Sequence, residues 1–342
     1  MTEQIAPEWG AARTGPLTGV RVLDLSQQLP GPYGTALLAS LGASVIKVEP
    51  PAGDPARQID PPMFDRLNRD KSIVTIDLKS DTGRYQLAAL LVDAKVFIEG
   101  FRPGVAARLG VDPDRLLARH ESLLYCSLSG FGQTGPLAQQ PAHDINVQAA
   151  AGALAPDERH DRIGVAWVDL SAGMTAALSI VAAIHGGRTG YLELSLFDTA
   201  LSWAELKPNA AAAREPVYGT VRASDGSSFA ISLLEDAGWP RLCAALGWTD
   251  WQTDARYVDY QSRLGGAVEI RARLDETFAR LDSAAVMGLS ERFDVAIVPL
   301  DPRHPIVLAQ REARRLVHDF SAPTVPLPVP RPSARASNDE TN

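Results

Sequence analysis

The sequence predicts a Rossmann-like α/β large domain with a parallel sheet, followed by a second, smaller α+β domain. Three observations carry this prediction. Short apolar runs of strand character alternate with helical segments from Arg21 to Glu205. At Lys207–Pro216 the composition turns alanine-rich and polar, as a linker does. From Tyr218 a new pair of strands begins, at Thr220–Arg222 and Phe229–Leu233, about an Asp225-Gly226 turn. The expected divisions are a large domain over 1–206, a linker over 207–217, a small domain over 218–300, and a C-terminal return segment with a proline-rich tail over 301–342.

In the large domain Arg21–Leu25 reads as the first strand. Pro30-Gly31-Pro32-Tyr33-Gly34 is expected to turn the chain into a helix over Thr35–Leu41, and Ser44–Glu49 is the second strand, stopped by Pro50-Pro51. Strand, helix and strand so close together form a βαβ unit, which requires a parallel pair. Strands are predicted over Ser72–Leu78, Lys95–Glu99, Leu123–Leu128 and Tyr191–Leu196. The helices between them are Thr82–Ala94, a short one ending over Arg115–His120, Met174–Ile184 and Thr199–Glu205. The small domain adds helices over Gly238–Leu246 and Val268–Leu281 and a strand over Val295–Pro299. Prolines at nearly every second position make Ser321–Pro332 extended, and the polar residues 333–342 are expected to be disordered.

Composition narrows the function. The 342 residues suffice for two cores, and 45% hydrophobic with 22% charged residues is ordinary for a soluble protein. A formal charge of −8 argues against a general nucleic-acid surface. Cys126 and Cys243 match no metal spacing and suggest no disulfide framework, so a cytoplasmic setting is expected and no metal. No signal peptide is evident before Gly10, and Met174–Ile184 is too short to span a bilayer, so no membrane partner is expected.

The first βαβ turn invites a dinucleotide reading, with Glu49 in the place of a ribose-binding acid. The Gly-x-Gly-x-x-Gly spacing is absent, however, and prolines stand where a pyrophosphate needs free amides. Ser127-Leu128-Ser129-Gly130 lacks the first glycine of a nucleophile elbow. Two chemistry-bearing segments remain. Pro141-Ala142-His143-Asp144-Ile145-Asn146 sets a histidine beside an aspartate after a glycine-punctuated loop. Trp167-Val168-Asp169-Leu170-Ser171-Ala172-Gly173 puts an acid at a helix start. There Asp169 is either a simple cap or a reactive carboxylate whose charge, or that of a neighbouring enolate, free helix amides stabilise. An imidazole and a carboxyl group from two segments suit proton exchange at a carbon acid; the acid alone suits covalent catalysis.

Gly19–Pro51, Leu67-Asn68-Arg69-Asp70-Lys71-Ser72, Glu99–Gly104, Ser127–Pro136 and His143–Gly152 resemble, in order, the landmarks of the class III coenzyme A-transferase family. Its superfamily includes the α-methylacyl-CoA racemases. The resemblance implies an interlocked homodimer and an acyl-CoA substrate, with coenzyme A present only as part of the thioester and no other cofactor required. It also implies that Asp169 is catalytic, either as the nucleophile of a transferase or as a proton-exchange group of a racemase.

His143 tips the expectation towards a racemase of 2-methylacyl-CoA thioesters, because transferases commonly carry an aromatic residue there and racemases carry Gly-His-Asp-Ile-Asn. Here Ala142 replaces that glycine. The resemblance makes Glu235, after Ile231-Ser232-Leu233-Leu234, the residue that orients His143. The enolate oxygen is expected on backbone amides near Asp169, while Asp144 is expected to support its loop. Coenzyme contacts carry over to Asn68, Arg69, Lys71, Arg102 and Gly104. Pro50 stands where the family usually has an arginine, so either Arg57 substitutes from the following loop or nucleotide affinity is weaker. The alternatives are an acyl-CoA:carboxylate CoA-transferase working through an aspartyl-CoA thioester, and a non-catalytic CoA-binding member.

Overall fold

A computed structural model describes Trp9 and residues 14–154, 164–206 and 215–313. The described chain forms two units, one within residues 9–206 and one within 215–313. The first runs β1 (Arg21–Asp24), α1 (Pro30–Ser40), β2 (Ser44–Glu49), α2 (Ala56–Ile59), α3 (Pro61–Asn68), β3 (Ser72–Thr75), α4 (Asp81–Leu91) and β4 (Val96–Glu99). It continues with α5 (Val105–Leu109), α6 (Pro113–Leu117), β5 (Leu124–Ser129), α7 (Asp144–Ala150), α8 (Trp167–His185), β6 (Gly190–Ser195) and α9 (Leu196–Leu206).

The six strands form one wholly parallel sheet, as the sequence predicts, and lie in the order β3-β2-β1-β4-β5-β6. Strand order reverses between β1 and β4, so the crevice beyond their carboxyl ends is where such a sheet receives a ligand. β2, β4 and β5 are buried on both faces, which is why they are rich in apolar residues, with Lys47, Glu49 and Glu99 as buried exceptions. One core layer packs α1, α8 and α9 against Val22, Val45, Val96, Ile98 and Cys126. The other gathers Leu23, Ile46, Phe97 and Tyr125 with Leu87, Leu90 and Leu116.

Several boundaries depart from the sequence expectation. Pro30–Gly34 is not a turn but the first turn of α1, because a proline at a helix's first position loses no hydrogen bond and already has a helical φ. α8 starts at Trp167 and has 19 residues; it is long and apolar enough to cross a membrane, which corrects the shorter estimate. Its packing nevertheless makes it a core helix of this unit, with Val168, Ala172, Ala176 and Ile180 buried. α2, α3, α5 and α7 lie where the sequence reading placed loops. The alanine-rich stretch 207–214 and the tail from residue 314 onwards lie outside the described residues.

The second unit contains β7 (Tyr218–Arg222), β8 (Ser228–Ser232), a single-turn 3-10 helix (Asp236–Gly238), α10 (Trp239–Leu246), α11 (Tyr260–Gly265), α12 (Ala267–Phe278), α13 (Ser283–Phe293), β9 (Ala296–Pro299) and α14 (Pro305–Ala313). Its antiparallel sheet, in the order β7-β8-β9, covers an aromatic core of Trp239, Trp248, Trp251, Tyr257 and Phe278.

α1 and α8 meet at glycines. A Cβ on Gly34 would lie 2.7 Å from the Gly173 carbonyl oxygen, and one on Gly173 would overlap the Pro30 carbonyl oxygen. Neither backbone group can swing aside, so Gly173→Ala is expected to destabilise the protein by about 1–3 kcal/mol. Gly164→Ala, whose new methyl meets nothing within 4 Å, should stay within about 0.5 kcal/mol. Urea denaturation of both variants compares them directly.

Candidate active site

The carboxyl ends of β1 and β2 are tied together by buried charges. Asp24 at the end of β1 accepts hydrogen bonds from the Lys71 ammonium at 3.1 Å, the Ser26 amide at 3.0 Å and the Ser26 and Thr35 hydroxyls. Lys47 in β2 donates to Asp54 and to the Ser26 carbonyl, both at 2.8 Å. None of these four charged side chains is exposed. Burial by itself would raise the Asp24 carboxyl, but the ammonium groups of Lys71 and Lys47 and the two hydroxyls outweigh it and hold the carboxyl low. The lysine is pressed the other way: burial lowers Lys71 despite Asp24 beside it.

This network shapes the turn after β1. Asp54 accepts the amide of Gln28 at 3.0 Å, and Gln28 has a left-handed φ of 63°. A left-handed glutamine is uncommon; here its amide is held by a buried carboxylate. The dinucleotide reading fails here on geometry as well as spacing, since an amide that a pyrophosphate would need is already bonded.

The predicted coenzyme residues divide into two groups. Lys71 and Asn68 face inwards: the Lys71 ammonium also donates to the Pro32 carbonyl and to Asn68 Oδ1, both at 2.9 Å, and Asn68 Nδ2 donates to the Phe64 carbonyl at 2.9 Å. In this arrangement both are bonded within the protein. Arg57, Arg69, Arg102 and Gly104 lie outwards. Arg57 is half-exposed, grips Glu49 through two hydrogen bonds of 2.9 and 3.0 Å and lies over the Phe64 ring. Arg69 and Arg102 are exposed, and Gly104, with φ 80°, starts α5.

Asp169 stands in the first turn of α8, half-buried. Burial, followed by the neighbouring Asp144 charge, pushes its carboxyl up to about 7. Asp144 is buried at the start of α7. Its Oδ1 accepts the amides of Val168 at 2.8 Å and Asp169 at 3.0 Å, and its Oδ2 accepts from the Gln148 side chain. Asp144 thus caps a helix other than its own. The remaining early amides of α8 are also engaged, Trp167 with the Val165 carbonyl at 2.9 Å and Leu170 with that of Ala166 at 3.1 Å. The amides of Trp167, Val168, Asp169 and Leu170 are thus all engaged within the protein.

His143 is exposed and is the N-cap residue of α7, its amide donating to Asn146 Oδ1 at 3.0 Å. It therefore comes to the start of α8 through its neighbour Asp144. Glu235 belongs to the second unit, where it is exposed at the N-cap of the 3-10 turn. Its neighbour Asp236 is held at 2.7 Å by the buried Arg263 guanidinium.

Besides a cavity of about 300 Å³ lined by Glu99, Gly104, Ser127 and Glu193 among others, two others open at the carboxyl edge of the parallel sheet. One, of about 370 Å³, is lined mostly by apolar side chains, among them Leu25, Val48, Pro50, Ile76 and Phe101. The other, of about 270 Å³, is lined by Gln28, Arg102, Ser129, Gln140 and His143, among others. The Ser129 hydroxyl is buried and has no partner among the described residues. A hydroxyl left so loses about 1–3 kcal/mol of solvation, which a ligand's polar group restores. Sequence reasoning weighed Ser129 only as a hydrolase nucleophile and gave Gln28 no role, because nothing in a strand-end serine or a loop glutamine marks it as a binding group before the walls close around it.

A sequence model described as CoA-transferase family III matches residues 17–342. The acetyl-CoA:oxalate CoA-transferase of Acetobacter aceti is 31% identical over 333 residues, spanning 89% of this chain and 85% of its own. The succinate–glutarate CoA-transferase of Agrobacterium fabrum is 32% identical over 294 residues, spanning 76% of this chain and 73% of its own. The crystal structure of the hypothetical protein Rv3272 from Mycobacterium tuberculosis matches with a TM-score of 0.76 at 30% identity, covering 89% of each chain.

The inward position of Lys71 has a measurable consequence. Lys71→Met leaves Asp24 as an unpaired buried charge and is expected to lower unfolding stability by about 3–5 kcal/mol. Adding Asp24→Asn to it should recover part of the loss. A lysine that only met a phosphate would instead change the KM for the thioester and leave the urea midpoint in place.

Proposed function

The chain belongs to CoA-transferase family III, and on that premise we propose that it is an acyl-CoA:carboxylate CoA-transferase with Asp169 as its nucleophile. The observation that carries this reading is the Asp169 carboxyl itself, half-buried at a helix start and raised to about 7. Near neutrality such a group is part carboxylate, and a more basic carboxylate is a stronger nucleophile than an ordinary aspartate. It attacks the thioester carbonyl; the carbon–sulfur bond breaks and an anhydride and a CoA thiolate result. The thiolate then attacks the aspartyl carbonyl of that anhydride, releasing the donor acid and leaving an aspartyl-CoA thioester. An acceptor carboxylate reverses both steps with its own acyl group.

The named relatives act on oxalate and on succinate and glutarate, which supports a short carboxylic acid as acceptor here. The apolar cavity behind Pro50 suits the flat face of the coenzyme's base. Arg102 suits its phosphates, and the unpartnered Ser129 hydroxyl suits a polar group of the bound substrate. The named chemistry of those relatives weighs for transfer over racemisation. The second reading, a 2-methylacyl-CoA racemase, rests on His143, an imidazole in the wall of the same cavity. Glu235 remains part of that reading only.

Borohydride added during turnover with an acyl-CoA should convert Asp169 to a homoserine residue detectable by peptide mass, and Asp169→Ala should abolish both labelling and transfer. Deuterium entering the α-carbon of one 2-methylacyl-CoA epimer in D2O, with no acceptor acid and no labelling, would establish the racemase instead. CoA binding that survives Asp169→Ala, with no turnover by the unaltered protein, would establish a non-catalytic binder.

A second copy of the chain also belongs to the proposed enzyme. α8 exposes Met174 and Leu178 on one face, and α9 exposes Trp203 and Leu206, with Leu178 68% and Leu206 84% exposed. Apolar side chains this open are suited to burial against another copy. Sedimentation should find a dimer, and Leu178→Glu should shift it towards monomer.

A further inference from the structure

We propose that Asp144 is a positioning residue for Asp169, holding the start of α8 in place while pressing a negative charge on the carboxyl that α8 presents. The inference rests on Asp169 being the reactive carboxyl of the proposed function. It goes further by assigning to its neighbour the control of when that carboxyl is ionised.

The geometry separates two effects in a single side chain. One Asp144 oxygen takes the amides of Val168 and Asp169, so the helix start is held from a different segment, 25 residues away from Asp169 in sequence. The other oxygen is fixed by the Gln148 side chain, one turn further along α7. The carboxylate therefore has little freedom to turn away. A helix start free of such a cap lends its amides to a carboxylate in the first turn and favours the ionised form. Here Asp144 occupies those amides and adds a like charge, so both effects favour the protonated form of Asp169.

The rest of the surroundings leave Asp144 as the dominant charge. Of the elements packed on α8, α1 carries Tyr33 as its one titratable side chain, and β5 carries Tyr125 and Cys126. β6 carries Tyr191 and Glu193, and α9 carries Asp198 and Glu205. His143 caps α7 next to Asp144. Among the described residues, burial and then the Asp144 charge are what raise the Asp169 carboxyl. The outcome serves the transfer reaction. A carboxyl that ionises near neutrality is a better nucleophile, and it also makes a poorer leaving group from its anhydride than an ordinary aspartate would. The intermediate is thereby directed towards release of the donor acid.

The test reads Asp169 itself and does not require the enzyme to turn over. Carbon-13 NMR of aspartate-labelled protein, with Asp169→Asn to assign the resonance, should place the Asp169 midpoint near neutral pH in the unaltered chain. In Asp144→Asn an oxygen is kept for the two amides, and the Gln148 amide can turn over to face the new nitrogen, while the charge is gone. The Asp169 midpoint is expected to fall by about one pH unit or more, and the rising limb of kcat/KM should move to lower pH with it. Asp144→Ala, which removes the cap as well, should also lower the thermal midpoint. An Asp169 titration that superimposes in the unaltered chain and in Asp144→Asn overturns the proposal, whatever the change in stability. A titration that shifts as expected in a protein that transfers no CoA upholds it and counts against the transferase reading alone.

Discussion

Two lysines and two aspartates, wholly enclosed at the carboxyl ends of β1 and β2, are the constraint from which the site is built. Buried ions persist only when paired and fully hydrogen-bonded, and these are. Asp24 reaches the Thr35 hydroxyl in α1, Lys71 reaches the Pro32 carbonyl in its first turn, and Lys47 reaches the Ser26 carbonyl in the loop before it. The start of α1 is therefore held at several points, although no side chain caps it. With α1 placed, the glycine contact at Gly34 and Gly173 fixes where α8 lies. α8 in turn carries Asp169. The Asp169 carboxyl thus owes its position to ions it never touches.

The same arrangement explains why a sheet in the Rossmann order does not read as a dinucleotide site. In such folds the first turn offers its amides to a pyrophosphate. Here Asp54 takes the Gln28 amide, and the glycines of the turn serve packing instead: a Cβ on Gly31 would overlap the Ser26 side chain. Ligand space at the carboxyl edge includes one apolar cavity beside Pro50 and one polar cavity with His143, Ser129 and Arg102 in its wall. A long substrate with a flat base at one end and a reacting carbonyl at the other has a use for both.

The histidine and aspartate at 143 and 144 show how adjacent residues separate in purpose. His143 is exposed in the wall of the polar cavity, whereas Asp144 is buried and bonded to the helix that carries Asp169. The motif that implied proton exchange by the histidine therefore also contains the carboxylate that, after burial, raises the Asp169 carboxyl. That second role is compatible with a nucleophilic Asp169, and it shifts the weight of the motif from the histidine to its neighbour.

The sequence by itself determined the alternation of strands and helices, the parallel sheet and the family. Each of these follows from local signals: apolar runs for strands buried on both faces, and landmark residues in order. Tertiary structure alone decided the rest. The seven residues of α7 carry too few apolar positions to show a helical period, so the sequence left them in a loop. Lys71 is an ordinary surface cation until Asp24, 47 positions earlier in the chain, is brought to it. Asp169 is an ordinary aspartate until burial and Asp144 raise it. Ionisation depends on solvent exclusion and on distances between charges, and neither exists before the chain has closed around them.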